Sequence, residues 1–309
     1  MRVGGWAVVV VVAFGGMLAP TARANAPAVE WESAMDTFFH ADNGTVRLGD
    51  YVIAFAPDGE IKGEVAVLGP DRKVRARFPF LAEPRVRSDV FARVGVQGPA
   101  EVQLTEPGIY NLIFVVAGKP VTSLPFVLKA GPAGDAFKPA RTFVFDGPWR
   151  NWAHLTMRDF KGQQVPQLSF WVGGPDLPKD AKKDMFQATL YRDGKPVANT
   201  RKTQGNIAPG HYKRATIDLF HPHADKEPNP KPFVLGDWLV DGPHELRVTR
   251  QSDGATLRSF TFTVADGKVT PHPRTALDFE PHVNHITPRV AKKNVNVFEM
   301  TEAIWIEGK

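Results

Sequence analysis

The chain has 309 residues, with 38 Lys and Arg against 33 Asp and Glu for a formal charge of +5. An excess this small, without a clustered basic stripe, gives no footing for nucleic-acid binding. Cysteine is absent, which excludes disulfide staples, thiol nucleophiles and a lipidated cysteine anchor, so ordinary burial must stabilise the fold.

Residues 1–24, MRVGGWAVVVVVAFGGMLAPTARA, combine a positive start at Arg2, an apolar stretch from Trp6 to Leu18 and a small-x-small exit at Ala22-Arg23-Ala24. These are the marks of a secretory signal peptide. The apolar stretch, broken by Gly15 and Gly16, is shorter than the roughly 18–20 residues that cross a bilayer. Cleavage after Ala24 is expected, leaving no stable membrane span and lowering the charge from +5 to +3 as Arg2 and Arg23 depart. An exported chain without cysteine reads as bacterial, and its location as periplasmic or secreted.

Beyond the leader, Pro27–His40 is expected as a helix, and nearly every other patterned segment as strand. Short runs rich in β-branched and aromatic residues occur at Tyr51–Pro57, Gly63–Gly69, Ile109–Gly118, Phe186–Gly194, His244–Arg250 and Leu257–Gly267. Asn43-Gly44, Asp58-Gly59, Asp193-Gly194, Asp253-Gly254 and Asp266-Gly267 punctuate them, and such pairs accept the positive φ of tight hairpins. With 27 Gly and 27 Pro, long helices are broken too often to persist. The fold class is all-β.

An internal repeat relates Glu106–Gly131 to Val240–Gly267. Gly108 falls on Gly242 and Leu112 on Leu246; after a small insertion Gly118 falls on Gly254, Ser123 on Ser259 and Phe126 on Phe262. The offset is that of a whole domain rather than a solenoid unit. The first copy, PGIYNLIF, resembles the penultimate strand of immunoglobulin-like and fibronectin-like sandwiches, in which a corner tyrosine bonds back to the backbone and the residue two further on enters the core. The resemblance implies those roles for Tyr110 and Leu112, and implies architecture only. His244 replaces the tyrosine in the second copy. The expected organisation is two tandem immunoglobulin-like or fibronectin-like β-sandwich domains: leader 1–24, first domain 25–131, linker 132–139, second domain 140–267 and a C-terminal extension 268–309. One or two strands are expected in Asn294–Gly308, docking on their own chain or on a partner's sheet edge. The basic spots Lys179–Lys183 and Arg289–Lys293 read as solvated loops.

Catalytic signatures are missing. There is no Gly-x-Ser-x-Gly elbow, phosphate-binding loop or dinucleotide fingerprint. His244-Glu245 begins like a zinc-protease motif, but Val248 stands where the second histidine belongs. The chain reads as a non-catalytic protein without cofactor. Its leading partner would be an envelope protein, with a polysaccharide as the alternative.

Two features nominate sites. Trp149, Trp152 and Trp171 could stack on sugar rings if they line a sandwich surface; otherwise they fill the core. Arg150 and Asp176 are natural polar partners beside such a patch. Seven of nine histidines lie beyond residue 210. His221 and His223, with Asp225 and the later His282 and His285, could hold a metal. The competing reading is a stiff polar connection, since Pro222 separates the two rings and proline avoids strand interiors.

Overall fold

The computed structural model describes residues 30–31, 39–42, 45–48, 52–55, 61–84, 92–96, 101–130, 143–178, 181–201, 205–208, 211–222, 230–272, 289–294 and 297–309. Among them the chain is mostly antiparallel strand, with almost no helix. The first ten strands are β1 (Glu30–Trp31), β2 (Phe39–Asp42), β3 (Thr45–Leu48), β4 (Val52–Phe55), β5 (Ile61–Leu68), β6 (Val74–Pro84), β7 (Ala92–Val96), β8 (Glu101–Gln103), β9 (Gly108–Val116) and β10 (Lys119–Ala130). Then come β11 (Phe143–Asp146), β12 (Trp152–Phe160), β13 (Gln163–Gly173), β14 (Asp184–Arg192), β15 (Lys195–Asn199), β16 (Gly205–Ile207) and β17 (His211–Asp218). A one-turn helix, α1 (Leu235–Trp238), precedes β18 (Gly242–Arg250), β19 (Thr256–Ala265) and β20 (Lys268–Val269). The last are β21 (Arg289–Asn294), β22 (Val297–Glu302) and β23 (Ile304–Glu307).

The all-β class and the described strand expectations hold. The turns work as their residues dictate. Asp193-Gly194 and Asp266-Gly267 both carry positive φ, 49° and 72° in the first and 52° and 67° in the second. Each joins two strands through a two-residue primed turn whose twist matches the sheet. The helix expected over Pro27–His40 is not found where the chain is described: Glu30–Trp31 and Phe39–His40 are extended. Phe39 and His40 face Leu48 and Arg47 across a hairpin, and pairing overrides a weak local preference. Arg289–Lys293, expected as loop, lies in β21.

Three sheets build the body. The first has the order β1-β4-β7-β6-β5-β9-β10-β11, the second β23-β12-β13-β17-β2-β3-β8 and the third β15-β14-β18-β19-β20, with β16 also on β14. The second sheet takes strands from both sides of residues 132–139, and β11 completes the first sheet by pairing with β10. The expected linker therefore does not divide the sheets.

Two apolar cores flank the second sheet. Trp152, Trp171 and Trp305 point into a cluster with Val65, Tyr110, Leu112, Phe114 and Phe126 of the first sheet. Their sequence neighbours Ala153, Phe170, Val172 and Ile306 point the other way, onto Phe186, Leu190, Leu246, Val248 and Phe260 of the third. Successive residues of a strand face opposite sides, so β12, β13 and β23 of the second sheet form a middle layer with apolar side chains buried on both faces.

The repeated hairpins share their register. Tyr110 faces Phe126 and Leu112 faces Leu124, while His244 faces Phe262 and Leu246 faces Phe260. Tyr110 donates its hydroxyl to the carbonyl of Glu106 at 2.6 Å, the corner bond the sequence resemblance implies. His244 keeps the ring stack of its counterpart, 5.1 Å and 11° on Phe262 against 5.3 Å and 15° for Tyr110 on Phe126. Its Nδ1 meets the carbonyl of Gly242 at 3.0 Å, two residues back instead of four.

Candidate functional site

Trp149, Trp152 and Trp171 are 1%, 2% and 3% exposed. They pack in the first core, the alternative weighed against sugar stacking. A pyranose needs an open ring face, and these rings present none to solvent. Arg150 and Asp176 do belong together. Arg150 Nη2 donates to Asp176 Oδ1 at 2.8 Å, and Arg258 Nη2 donates to Asp176 Oδ2 at 3.1 Å. Gly173 N–H adds a bond at 3.0 Å. Arg258 also donates from Nε to the carbonyl of Arg150 at 2.9 Å. This buried group ties the 3-10 turn Pro148–Asn151, the turn after β13 and strand β19. It is a structural junction, because Asp176 and Arg258 are buried and spend their polar atoms on one another and on the backbone.

His221 lies on the surface, 3.2 Å from Asp237 and edge-on to Phe233 at 5.1 Å. His223, Asp225, His282 and His285 lie outside the described residues. Among the described residues no group of three or more His, Asp or Glu converges as a metal site. The connection after β17 carries Leu219 and Phe233 into the second core and then forms α1.

His154 is a buried polar residue of the middle layer. Its ring lies 4.8 Å from that of Trp305 and 5.9 Å from that of Trp171. Its Nδ1 has no hydrogen-bond partner among the described residues. Burial, with Arg214 nearby, pushes its pKa well below the ordinary imidazole value, so the ring is neutral.

A concave surface exists elsewhere, at the end of the third sheet. A depression of about 320 Å³ is lined by Tyr191, the Asp193-Gly194 turn, Pro243, His244, Glu245 and Thr261–Thr263, at the small end of ligand-sized cavities. Register explains the arrangement: Tyr191 faces Glu245 and Glu245 faces Thr261, forming one polar row across three strands. Arg247 holds the row in place. Its Nε and Nη2 donate to the two oxygens of Glu245 at 3.1 and 2.8 Å. Its Cζ sits 4.6 Å from the Tyr191 ring centroid, and Ser259 donates to Glu245 Oε1 at 2.7 Å.

These contacts set the protonation states. The bonds from Arg247 and Ser259 hold Glu245 below the usual carboxylate range, and Glu245 in turn raises Arg247. At the floor, burial, with Arg192 adding to it, lowers His244. Arg192 Nε donates to His244 Nε2 at 3.1 Å, which places the ring proton on Nδ1, toward Gly242. A carboxylate locked in its ionised form is a poor general base, and a neutral, doubly engaged imidazole has no free proton to give. The groove is suited to holding a polar ligand through the Glu245 and Asp193 carboxylates, the Thr261 and Thr263 hydroxyls and the Tyr191 ring. Nothing in the sequence nominated Tyr191 or Arg247, although Arg247 in HELRVTR stands on the solvent-facing alternation of its strand.

No known protein family, curated protein sequence or solved structure matches the chain.

Proposed function

We propose that the chain is an exported, non-catalytic interaction protein of the bacterial cell envelope, and that it engages its partner through the groove on the third sheet. The observation that carries this reading is the pre-formed Tyr191–Arg247–Glu245–Ser259 network beside the depression. Its charges are already oriented and paired, so binding orders few side chains and loses little entropy. The leader at residues 1–24 supports export. The corner bond of Tyr110 and the common register of the two hairpins support a derivation of both from immunoglobulin-like units.

Carbohydrate is the second reading, now at this groove and not at the tryptophans. Hydroxyl, carboxylate and ring groups on one sheet face are the chemistry that polyhydroxyl ligands use.

The test is affinity capture from envelope extract with the mature chain, Asn25–Lys309, beside its Arg247→Glu and Tyr191→Ala variants, with bound proteins and glycans both analysed. A protein that the mature chain retains and both variants lose supports the reading. Enriched polysaccharide with the same variant dependence moves it to carbohydrate. A partner held equally by all three chains removes the groove from the proposal.

A further inference from the structure

Segment Ala303–Lys309 is seated as a bound peptide would be. Strand β23 runs antiparallel to the edge of β12, with Ile304 opposite Leu155, Trp305 opposite His154 and Ile306 opposite Ala153. Its side chains divide strictly between the layers. Ala303 and Trp305 enter the first core, and Ile304 and Ile306 enter the second. Trp305 is wholly buried.

The segment then crosses to the third sheet. Gly308 N–H donates to the carbonyl of Asn151 at 2.7 Å, and Lys309 and Ser259 exchange backbone bonds at 3.0 and 3.3 Å. A side chain at 308 would stand 2.6 Å from the Phe260 ring and 2.8 Å from the Ser259 carbonyl, so the slot selects glycine there. Slot and segment therefore form a specific pair that reads small-Ile-Trp-Ile-x-Gly.

The strands leading to β23 are not hydrogen-bonded into this body among the described residues. Strands β21 and β22 pair with each other and, among the described residues, with no strand of the three sheets. Ala303 alone separates β22 from β23. The contacts of segment 303–309 form identically whether the strand comes from its own chain or from another copy. Only effective concentration separates the two arrangements, which makes exchange of an identical strand between copies thermodynamically inexpensive.

We propose that the slot between β12 and β19 is a strand-acceptor site whose second occupant is segment 303–309 of another copy of this chain, producing strand-exchanged assemblies. This goes beyond the groove reading: the two share only Ser259, whose hydroxyl serves the groove network and whose backbone serves the slot, and the peptide test below leaves Ser259 unchanged.

The absence of native cysteine makes a clean test possible. A full chain carrying Ser259→Cys is co-expressed with a full chain carrying Lys309→Cys, and a Ser259→Cys/Lys309→Cys double variant serves as reference. A disulfide that joins position 259 of one chain to position 309 of the other, told apart from 309–309 and 259–259 pairs by peptide mapping, reports the segment of one chain in the slot of the other. The expected result is an intrachain disulfide in the double variant and an interchain 259–309 dimer in the mixed sample. An intrachain bond without any such dimer overturns the proposal.

A second measurement does not depend on disulfide geometry. The wild-type chain is refolded from urea at rising protein concentration and examined by light scattering. A dimer is expected whose fraction falls when the synthetic peptide AIWIEGK is added in excess, and is unchanged by the same peptide carrying Trp305→Ala. Monomer at every concentration, or a dimer indifferent to both peptides, overturns the proposal.

Discussion

Replacing Asp176 by alanine is the sharpest perturbation the fold offers. The carboxylate is 3% exposed and accepts bonds from Arg150, Arg258 and the Gly173 N–H. Arg150 keeps Asp146 at 3.0 Å and part of its surface in water. Arg258, 4% exposed, keeps only carbonyl acceptors on Arg150 and Leu257. Its full charge then lies buried without a counter-charge. Breaking a buried pair from one side costs about 3–5 kcal/mol, against a total stability on the order of 5–15 kcal/mol. Urea unfolding of Asn25–Lys309, followed by tryptophan fluorescence, should show the midpoint lowered by about 1–2.5 M for a denaturant slope near 2–3 kcal/mol/M. The double variant Asp176→Leu/Arg258→Met should recover much of that loss, since it removes both charges and keeps apolar volume. A single-variant cost under about 1 kcal/mol would refute the view that this junction is electrostatically closed. So would a double variant no more stable than the single.

Other outcomes follow from the same geometry. His154 is held neutral in the fold, so below its ordinary value near 6.5 unfolding takes up a proton, and stability falls as pH drops from there toward the lowered folded-state value. The slope is about 1.4 kcal/mol per pH unit. His154→Phe should flatten the stability profile just below pH 6.5, and an unchanged profile would exclude His154 as its source. Trp305→Ala opens the first core and should cost about 3–5 kcal/mol in urea unfolding. Tyr110→Phe deletes only the bond to the Glu106 carbonyl and should cost about 0.5–1.5 kcal/mol, with circular dichroism unchanged. Arg247→Ala should leave stability within about 1 kcal/mol, because the pair it breaks is partly exposed, while weakening whatever ligand the groove takes.

The sequence by itself determined the strands that have one wet face. β14, β18 and β19 alternate between the second core and solvent, and period-two patterning with Asp-Gly turns marks such strands wherever they lie. Tyr110 and its corner bond were legible for the same local reason. What only the tertiary structure decided is the middle layer. β12 and β13 are buried on both faces where WAHL and LSFWVG lie, so those runs show no alternation, and periodicity does not reveal a strand that has no polar side; β23 was expected as a strand, but not its place between two cores. The tryptophans followed that loss: with both faces covered, Trp152 and Trp171 became core residues and not a platform. Arg258 was the hidden signal, a charge on the Arg258–Phe260–Phe262–Val264 face, which otherwise carries only apolar residues. Its counter-charge Asp176 stands 82 positions away along the chain. Pairing at that separation is settled by where the layers bring the two groups and not by any local pattern, which is also why Tyr191, Glu245 and Arg247 became a groove only once three strands stood side by side.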